Sequence, residues 1–127
     1  MKPNVILDSS VWIEIFREGP LVGKCRKEMD ASRIVGVPTV SIYEVYRKIL
    51  ISVSEEISLS VVAFLKQYPA LDLSIEVAIT AADLSVQHRL GMADSVMLAH
   101  AMNNQAKLVT MDNDFAGIHN VVVLRKN

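Results

Sequence analysis

Five carboxylates stand in four separate segments from which they could form one site. In chain order they are Asp8, Glu44, Asp94, Asp112 and Asp114. Carboxylates that are held close together repel one another, and their natural complement is a hard divalent cation with oxygen ligands. The pattern therefore predicts a site for Mg²⁺ or Mn²⁺, provided that the fold brings the four segments together.

Other metal chemistries find little support in the residue types. The single cysteine, Cys25, and three histidines without HExxH-like spacing cannot supply the usual zinc sites. The stretch DNDFAG begins like an EF-hand calcium loop, but Val123 stands where that loop requires an acid. His100 is predicted to be a hydrogen-bonded core residue, and the methionines of the same apolar stretch are predicted to pack in the core. These methionines are Met92, Met97 and Met102.

Two of the acids also have structural interpretations at helix ends. Asp8 could cap a following helix, because aspartate is a favoured N-cap residue. Glu44 comes three residues after Ser41, which is the spacing of a capping box, and it could instead pair with Lys48 one turn later. For Glu44 alone, the structural interpretation is the stronger one.

The other three acids also have both a structural and a functional interpretation. Asp94 could cap the apolar helix that it begins, but an unpartnered charge beside the core is costly, so a metal ion or hydrogen-bond donor is expected there. Asp112 and Asp114 could be ordinary turn residues whose side chains bind backbone amides. For these two, the turn and the metal site are equally supported.

Strand-like and helical segments alternate along the chain. Strands are predicted at residues 4–7, 33–37, 70–73, 107–110 and 121–124, and helices at 11–16, 21–29, 39–51, 54–68, 74–90 and 93–104. The order βααβααβααββ, with strands apolar on both faces, predicts a three-layer α/β/α sandwich around a mostly parallel sheet of four to five strands. The chain of 127 residues is predicted to form a single domain, residues 1–127.

In such sheets the ligand crevice lies at the carboxyl ends of the strands, where the strand order reverses. Asp8 follows the first strand and Asp112 follows the fourth, while Glu44 and Asp94 lie near the starts of helices. The topology therefore predicts that the acids converge at this edge.

Composition excludes several classes of protein. The chain is 51% hydrophobic and 21% charged, which is too apolar for intrinsic disorder, and its formal net charge of -1 is unlike that of a non-specific nucleic-acid coat. The N-terminal segment lacks the apolar core of a signal peptide, and no stretch is long enough to span a membrane. With one cysteine, a cytoplasmic protein is expected.

Four motifs together resemble the PIN-domain family, in particular the VapC-like toxins of toxin–antitoxin pairs. They are VILDSSVWIEIF, the isolated glutamate of SIYEVYRK, GMADSVMLAHAM and LVTMDNDF. In that family an aspartate and a Ser- or Thr-rich turn follow the first strand, as Asp8, Ser9 and Ser10 do here. A second acid on the helix after strand two matches Glu44.

The later motifs match the family as well. Gly-x-x-Asp at the start of the central helix matches Gly91 and Asp94, and Thr-x-Asp-x-Asp-Phe matches Thr110, Asp112, Asp114 and Phe115. The resemblance covers essentially the whole chain. Each motif is weak alone, but four motifs in the right order are specific.

The resemblance implies a Mg²⁺- or Mn²⁺-dependent endoribonuclease whose products carry 5′-phosphate and 3′-hydroxyl ends. It implies Asp8 and Asp94 as core metal ligands, Glu44 and Asp112 as acids that complete the catalytic site, and Asp114 as an outer ligand. Ser10 is expected to hydrogen-bond to one of the acids and orient it.

The same resemblance implies partners. A cognate VapB-like antitoxin protein would silence the enzyme, and a homodimer is expected. The early helices at residues 11–16 and 21–29 could form a groove for an antitoxin helix, although core packing explains their apolar stripes equally well. The RNA substrate would be held by local cations, since the chain has no basic excess; the candidates are Arg47, Lys48, Arg89 and Lys107. The alternative function is a PIN-like binding module without catalysis, which acts through protein or RNA contacts.

Overall fold

A parallel five-stranded sheet forms the centre of the computed structural model, which describes residues 2–126. The strands are β1 (Val5–Leu7), β2 (Val35–Pro38), β3 (Ala70–Leu71), β4 (Lys107–Thr110) and β5 (Val121–Val123). The helices are α1 (Ser9–Phe16), α2 (Val22–Asp30), α3 (Thr39–Ser52), α4 (Glu55–Leu65), α5 (Ile75–His88) and α6 (Met92–Asn103), and a 3-10 turn covers Asn113–Phe115. The predicted fold class and element order are confirmed.

The strand order is β3-β2-β1-β4-β5, and every neighbouring pair is parallel. The chain therefore builds the sheet outward from β1 in one direction and then returns to place β4 on the other side of β1. Leu7 of β1 aligns with Val109 of β4, so the two central strands end together. This is the topological switch point, where the loops after adjacent strands diverge and leave a crevice.

Alternation of side chains along the strands divides the core into two layers. Val5, Leu7 and Val109 pack on the side of α1 to α4, whereas Ile6 and Leu108 pack on the side of α5 and α6. All five of these side chains are fully buried. Because both faces of the central strands are covered, the sheet needs apolar residues at every position, which explains why the strands read as continuous apolar runs.

Helix α6 fills the second layer almost completely. Its residues from Ser95 to Ala101 are all buried, as expected for a helix that is apolar on every side. Of the three methionines predicted to pack, only Met97 does so, since Met92 and Met102 are exposed at the two ends of the helix. His100 is buried, but among residues 2–126 its Nε2 has no hydrogen-bond partner, so the hydrogen bond expected of this histidine is absent at that atom. Burial lowers the pKa of His100.

Several predicted element ends shift by a few residues. β3 has two residues rather than four, and α5 ends at His88 because Arg89 adopts a left-handed conformation with φ of 57°. Gly91 precedes the first residue of α6 as its N-cap. Among the described residues no helix is both long and apolar enough to cross a membrane.

A buried glutamate that the sequence did not single out closes the turn between α1 and α2. Glu14 is 2% exposed, and its carboxylate accepts hydrogen bonds from the Leu21 backbone N–H at 2.7 Å and from Arg17 Nε at 2.9 Å. A Cβ atom at Gly19 would lie 2.2 Å from Glu14 Oε1, so a larger residue there would displace the Glu14 carboxylate. Burial raises the pKa of Glu14, but the bonds from Leu21 and Arg17 outweigh it, and the net pKa is lowered.

Replacing Glu14 should destabilise the fold. Glu14→Ala leaves the Leu21 N–H buried without a partner, and we expect the free energy of unfolding to fall by about 2–3 kcal/mol. Because the folded-state pKa of Glu14 lies below its unfolded value, this contribution is present at neutral pH and is lost as the pH falls through the folded pKa. Urea unfolding at pH 7 measures the difference.

Glu18→Ala is the matched control, because the ion pair of Glu18 with Arg26 is exposed and spans 3.7 Å. It should change the free energy of unfolding by less than about 0.5 kcal/mol. Equal stability of the Glu14→Ala and Glu18→Ala variants would contradict the role given to Glu14.

Candidate active site

The carboxyl ends of β1 and β4 carry the first parts of the site. The chain leaves β1 at Asp8, whose backbone N–H still bonds to the carbonyl of Val109 at 2.9 Å, and enters α1 at once. Asp8 is 3% exposed. This backbone hydrogen bond between the ends of β1 and β4 therefore holds Asp8 at the base of the crevice.

Three hydrogen-bond donors fix the Asp8 carboxylate. Oδ1 accepts from the backbone N–H of Ser9 at 2.7 Å, and Oδ2 accepts from the hydroxyls of Thr110 at 2.7 Å and Ser10 at 3.0 Å. Met111 N–H in turn donates to Ser10 Oγ at 3.1 Å. The N-cap interpretation of Asp8 is confirmed, and the same side chain also ties the loop after β1 to the loop after β4.

Ser9 links the second acid to the first. Its hydroxyl donates to Glu44 Oε1 at 2.9 Å and lies 3.4 Å from Asp8 Oδ1. Glu44 is half-buried in the second turn of α3. Burial raises the pKa of Glu44, the Ser9 hydrogen bond lowers it and the charge of Asp8 raises it again, with a net increase.

The structural interpretations of Glu44 are wrong. α3 begins at Thr39, one turn earlier than a capping box at Ser41 requires, and Ser41 Oγ donates to the Pro38 carbonyl at 2.9 Å. Within residues 2–126 no ion pair joins Glu44 to Lys48. Glu44 is therefore free to face the other acids.

Asp94, Asp112 and Asp114 form the tightest part of the cluster. Each offers a carboxylate oxygen, and these three atoms lie within 4.8 Å of one another. Asp94 lies in the first turn of α6, whose N-cap is Gly91, so it does not cap the helix. Asp112 fulfils the turn interpretation, because its Oδ1 accepts from the Asp114 N–H at 2.9 Å, and it nevertheless lies within the cluster.

The electrostatics of Asp94 show that all five acids share one region. Burial raises the pKa of Asp94 to about 6, together with the negative charges of four carboxylates. These are Asp8, Asp112, Glu44 and Asp114. The sequence-predicted acids thus converge, although Asp8 and Glu44 lie outside the close group of three.

The donor set fits a hard divalent cation. The ion pairs of the described chain engage Glu14, Glu18 and Glu28, and none involves an acid of the cluster. The negative charge at the switch point is therefore not balanced by a lysine or arginine. Carboxylate oxygens alone are the ligands that Mg²⁺ and Mn²⁺ prefer, and they give no reason to expect a softer metal.

A groove runs from the acids along α1. It has a volume of about 870 Å³ and lies between α1, α3 and α4. Ser10 and Met111 line its end beside the acids, and Ile13, Ile49 and Ile57 are among its apolar walls. A separate cavity of about 490 Å³ lies between α1 and α2, where the sequence predicted a groove, and its walls include Trp12, Ile15 and Met29.

One candidate RNA-binding cation is excluded by its position. Lys107 is the first residue of β4, so it lies at the amino ends of the strands, opposite the acids. Its Nζ pairs with Glu28 Oε2 at 2.5 Å. Arg47 and Lys48 lie on α3, the helix that carries Glu44. Arg89 follows α5 as its C-cap.

The PIN domain family model matches residues 5–120. The chain belongs to the PIN domain family. No curated protein sequence matches it significantly.

Among solved structures this PIN domain is similar to a toxin–antitoxin complex from Klebsiella pneumoniae, with 21% identity over 97% of this chain and 99% of that chain and a TM-score of 0.79. VapC20 of Mycobacterium tuberculosis, a sarcin–ricin loop cleaving toxin, has 14% identity over 94% and 98% and a TM-score of 0.78. A DNA-bound VapBC from Salmonella typhimurium has 19% identity over 95% and 96% and a TM-score of 0.73. At these identities the likeness establishes the fold.

Two hydroxyl groups of the PIN domain were not assigned a role from the sequence. Ser9 bridges Glu44 and Asp8, and Thr110 both donates to Asp8 and accepts from the Asp112 N–H at 3.0 Å. Both belong to quoted motifs, so the available signal was a hydroxyl group one or two residues from an acid at a strand end. Their partners are distant in sequence, which spacing alone could not identify.

The repulsion at Asp94 predicts an unusual effect of neutralising it. An acid whose folded-state pKa is raised above its unfolded value loses its stabilising contribution as the pH rises through the folded pKa. In metal-free buffer at pH 8, Asp94→Asn should therefore be more stable than wild type, by up to about 3 kcal/mol, and the difference should shrink towards pH 5.

Thermal unfolding in EDTA at the two pH values measures this difference, with Asp83→Asn on the exposed side of α5 as control. Added Mn²⁺ should raise the Tm of the wild type more than that of Asp94→Asn. A variant that is less stable than wild type at pH 8 would show that Asp94 has a structural partner instead.

Proposed function

We propose that this protein is a divalent-metal-dependent endoribonuclease and the toxin of a toxin–antitoxin pair that acts on RNA in the cytoplasm. The observation that carries the proposal is the convergence of five carboxylates, without a cationic partner, at the switch point of a PIN domain. The solved structures with the same fold include a sarcin–ricin loop cleaving toxin, which supports RNA as the substrate class.

Asp8, Asp94, Asp112 and Asp114, with Glu44, would hold Mg²⁺ or Mn²⁺. When bound, the ion makes a water molecule acidic enough to form hydroxide near neutral pH and balances the negative charge that grows on the phosphodiester. Hydrolysis with departure of the 3′ oxygen would leave 5′-phosphate and 3′-hydroxyl ends.

The chain's own groups orient the acids and move the proton. Ser9, Ser10 and Thr110 fix Asp8, and Ser9 also holds one oxygen of Glu44, so that its other oxygen can accept the proton of the attacking water. Arg47 and Lys48 lie on the same helix and have no ion pair within residues 2–126, and their proposed role is to contact RNA phosphates.

A cognate VapB-like antitoxin is the proposed protein partner. Several solved structures of the same fold are toxin–antitoxin complexes. The apolar groove along α1 is suited to an amphipathic helix of such a partner, and it ends at Ser10, beside the acids, where a bound segment would obstruct the site. A homodimer is also proposed, and the exposed Ile75, Ile79 and Val86 on one side of α5 are consistent with packing against a second copy.

Neutralising Asp94 should abolish RNA cleavage while the protein stays folded. Asp94→Asn removes one carboxylate from the close group of three, and we expect activity to fall by at least 100-fold. The measurement is cleavage of a panel of structured RNAs with Mg²⁺, Mn²⁺ or EDTA, followed by mapping of the new ends.

The Asp94→Asn protein, purified identically, is also the control for contaminating ribonuclease. Fragments that need the metal and disappear in the variant would support the proposal. Cleavage by the variant at the wild-type rate would contradict the assignment of Asp94, and a wild type that binds RNA but cuts none of the panel would favour the non-catalytic binding module.

Thr110 should matter for activity more than for stability. Thr110→Val keeps the shape of the side chain but removes the donor to Asp8 Oδ2 and the acceptor of the Asp112 N–H, so we expect a 10- to 100-fold loss of cleavage, as is typical for groups that orient metal ligands. A shifted dependence of the rate on Mn²⁺ concentration should accompany the loss. Thr80→Val on α5 serves as control, and an unchanged Mn²⁺ dependence in Thr110→Val would contradict the positioning role.

A further inference from the structure

A second surface of α3 lies beside the acids, and of its residues only Arg47 has been given a role so far. Tyr43 directly precedes Glu44 and is 65% exposed. With Tyr46, Arg47 and Leu50 it lines an open cavity of about 480 Å³, whose other walls are Ile42 and Val62. This Tyr43 surface therefore combines two aromatic rings, one guanidinium group and an apolar floor.

Helix geometry places this surface next to the site. At 3.6 residues per turn, Arg47 lies about 60° around α3 from Glu44 and about 40° from Tyr43. The Glu44 carboxylate is held towards Ser9 by its hydrogen bond. Around the helix, the order is thus the acid site, then the guanidinium group of Arg47, then the exposed ring of Tyr43.

The charges at the Tyr43 surface favour a nucleic acid, which has phosphates and flat bases, over an apolar protein partner. Arg47 is exposed and has no ion pair among the described residues, although it lies one turn from an acid. The chain carries a formal net charge of -1, so a phosphate chain that approaches the acids needs local cations. Unpaired bases stack on aromatic side chains and on guanidinium planes, which is how single-stranded RNA is commonly held.

We propose that the Tyr43 surface is a base-stacking subsite, in which an unpaired base next to the cleaved phosphodiester lies on the Tyr43 ring while Arg47 contacts the adjoining phosphate. This inference rests on the proposed nuclease function and names the form of RNA that the site takes. The substrate is single-stranded at the cut, because a base inside a duplex is not free to stack on a side chain. Stacking itself is possible with any base, so the subsite selects for unpaired structure.

The test uses short single-stranded RNAs that contain one 2-aminopurine, with the same sequences as duplexes for comparison. Asp94→Asn is the background for the binding measurements, so that the RNA is not cut, and Mg²⁺ is present. Stacking should quench the 2-aminopurine fluorescence of single strands. Tyr43→Ala should weaken their binding about 5- to 100-fold, which is the effect expected from losing one base–aromatic stack. Tyr43→Phe should bind as the parent does, because it keeps the ring.

Leu59→Ala is the control for an exposed apolar side chain elsewhere, and it should leave binding and quenching unchanged. In the active enzyme, Tyr43→Ala should raise the KM for single-stranded RNA by a similar factor and leave kcat within about twofold of wild type. Duplex binding should not depend on Tyr43.

The outcomes separate this subsite from the nuclease function. Cleavage with an unchanged KM in Tyr43→Ala would overturn the subsite and leave the nuclease intact. Quenching that depends on Tyr43, in a protein that cuts nothing, would support the subsite and contradict the nuclease. A Tyr43→Ala protein that changes from dimer to monomer by sedimentation would also overturn the subsite, because the surface would then be an interface between two copies.

Discussion

Repulsion among the carboxylates at the switch point is the constraint on which the rest of the molecule depends. The side chains that produce it come from β1, α3, α6 and the turn after β4, so only the complete fold assembles them. The central strands β1 and β4, which are buried on both faces, hold these acids in place at their carboxyl ends. Repulsion among the acids thus lowers the stability of the fold, and a divalent cation bound between them would relieve this repulsion.

Glu14 shows how a buried acid behaves when the protein itself provides its partners. Burial acts on Glu14 and on Asp94 in the same direction, yet the pKa of Glu14 falls and that of Asp94 rises to about 6. The difference is that Leu21 N–H and Arg17 face Glu14, whereas other carboxylates face Asp94. Glu14 is thus neutralised by partners within the chain, whereas no lysine or arginine of the described residues forms an ion pair with the acids around Asp94.

The sequence predicted the parts of this arrangement that depend on local pattern. The bounds of β4 at residues 107–110 were predicted correctly, since a buried strand is marked by a continuous apolar run. Because β1 and β4 are parallel, Asp8 and Asp112 then lie together at the carboxyl ends of the strands. The bridge from Ser9 to Glu44 spans 35 residues, and no local pattern encodes it. Glu14 was missed because it looks like any helical glutamate until the start of α2 packs over it. The end of α5 was misplaced because nothing in the local sequence marks Arg89 as the left-handed residue that ends the helix.

The central claim, that the acid cluster binds a divalent cation in place of protons, is tested most directly by calorimetric titration with Mn²⁺ in buffers of different ionisation enthalpy. Because the pKa of Asp94 is about 6, binding at pH 6 should release roughly half a proton per ion, and binding at pH 8 should release almost none. Asp94→Asn should bind more weakly and release fewer protons at pH 6. Mn²⁺ binding that is equally tight in the wild type and in Asp94→Asn, with no proton release at either pH, would contradict the account.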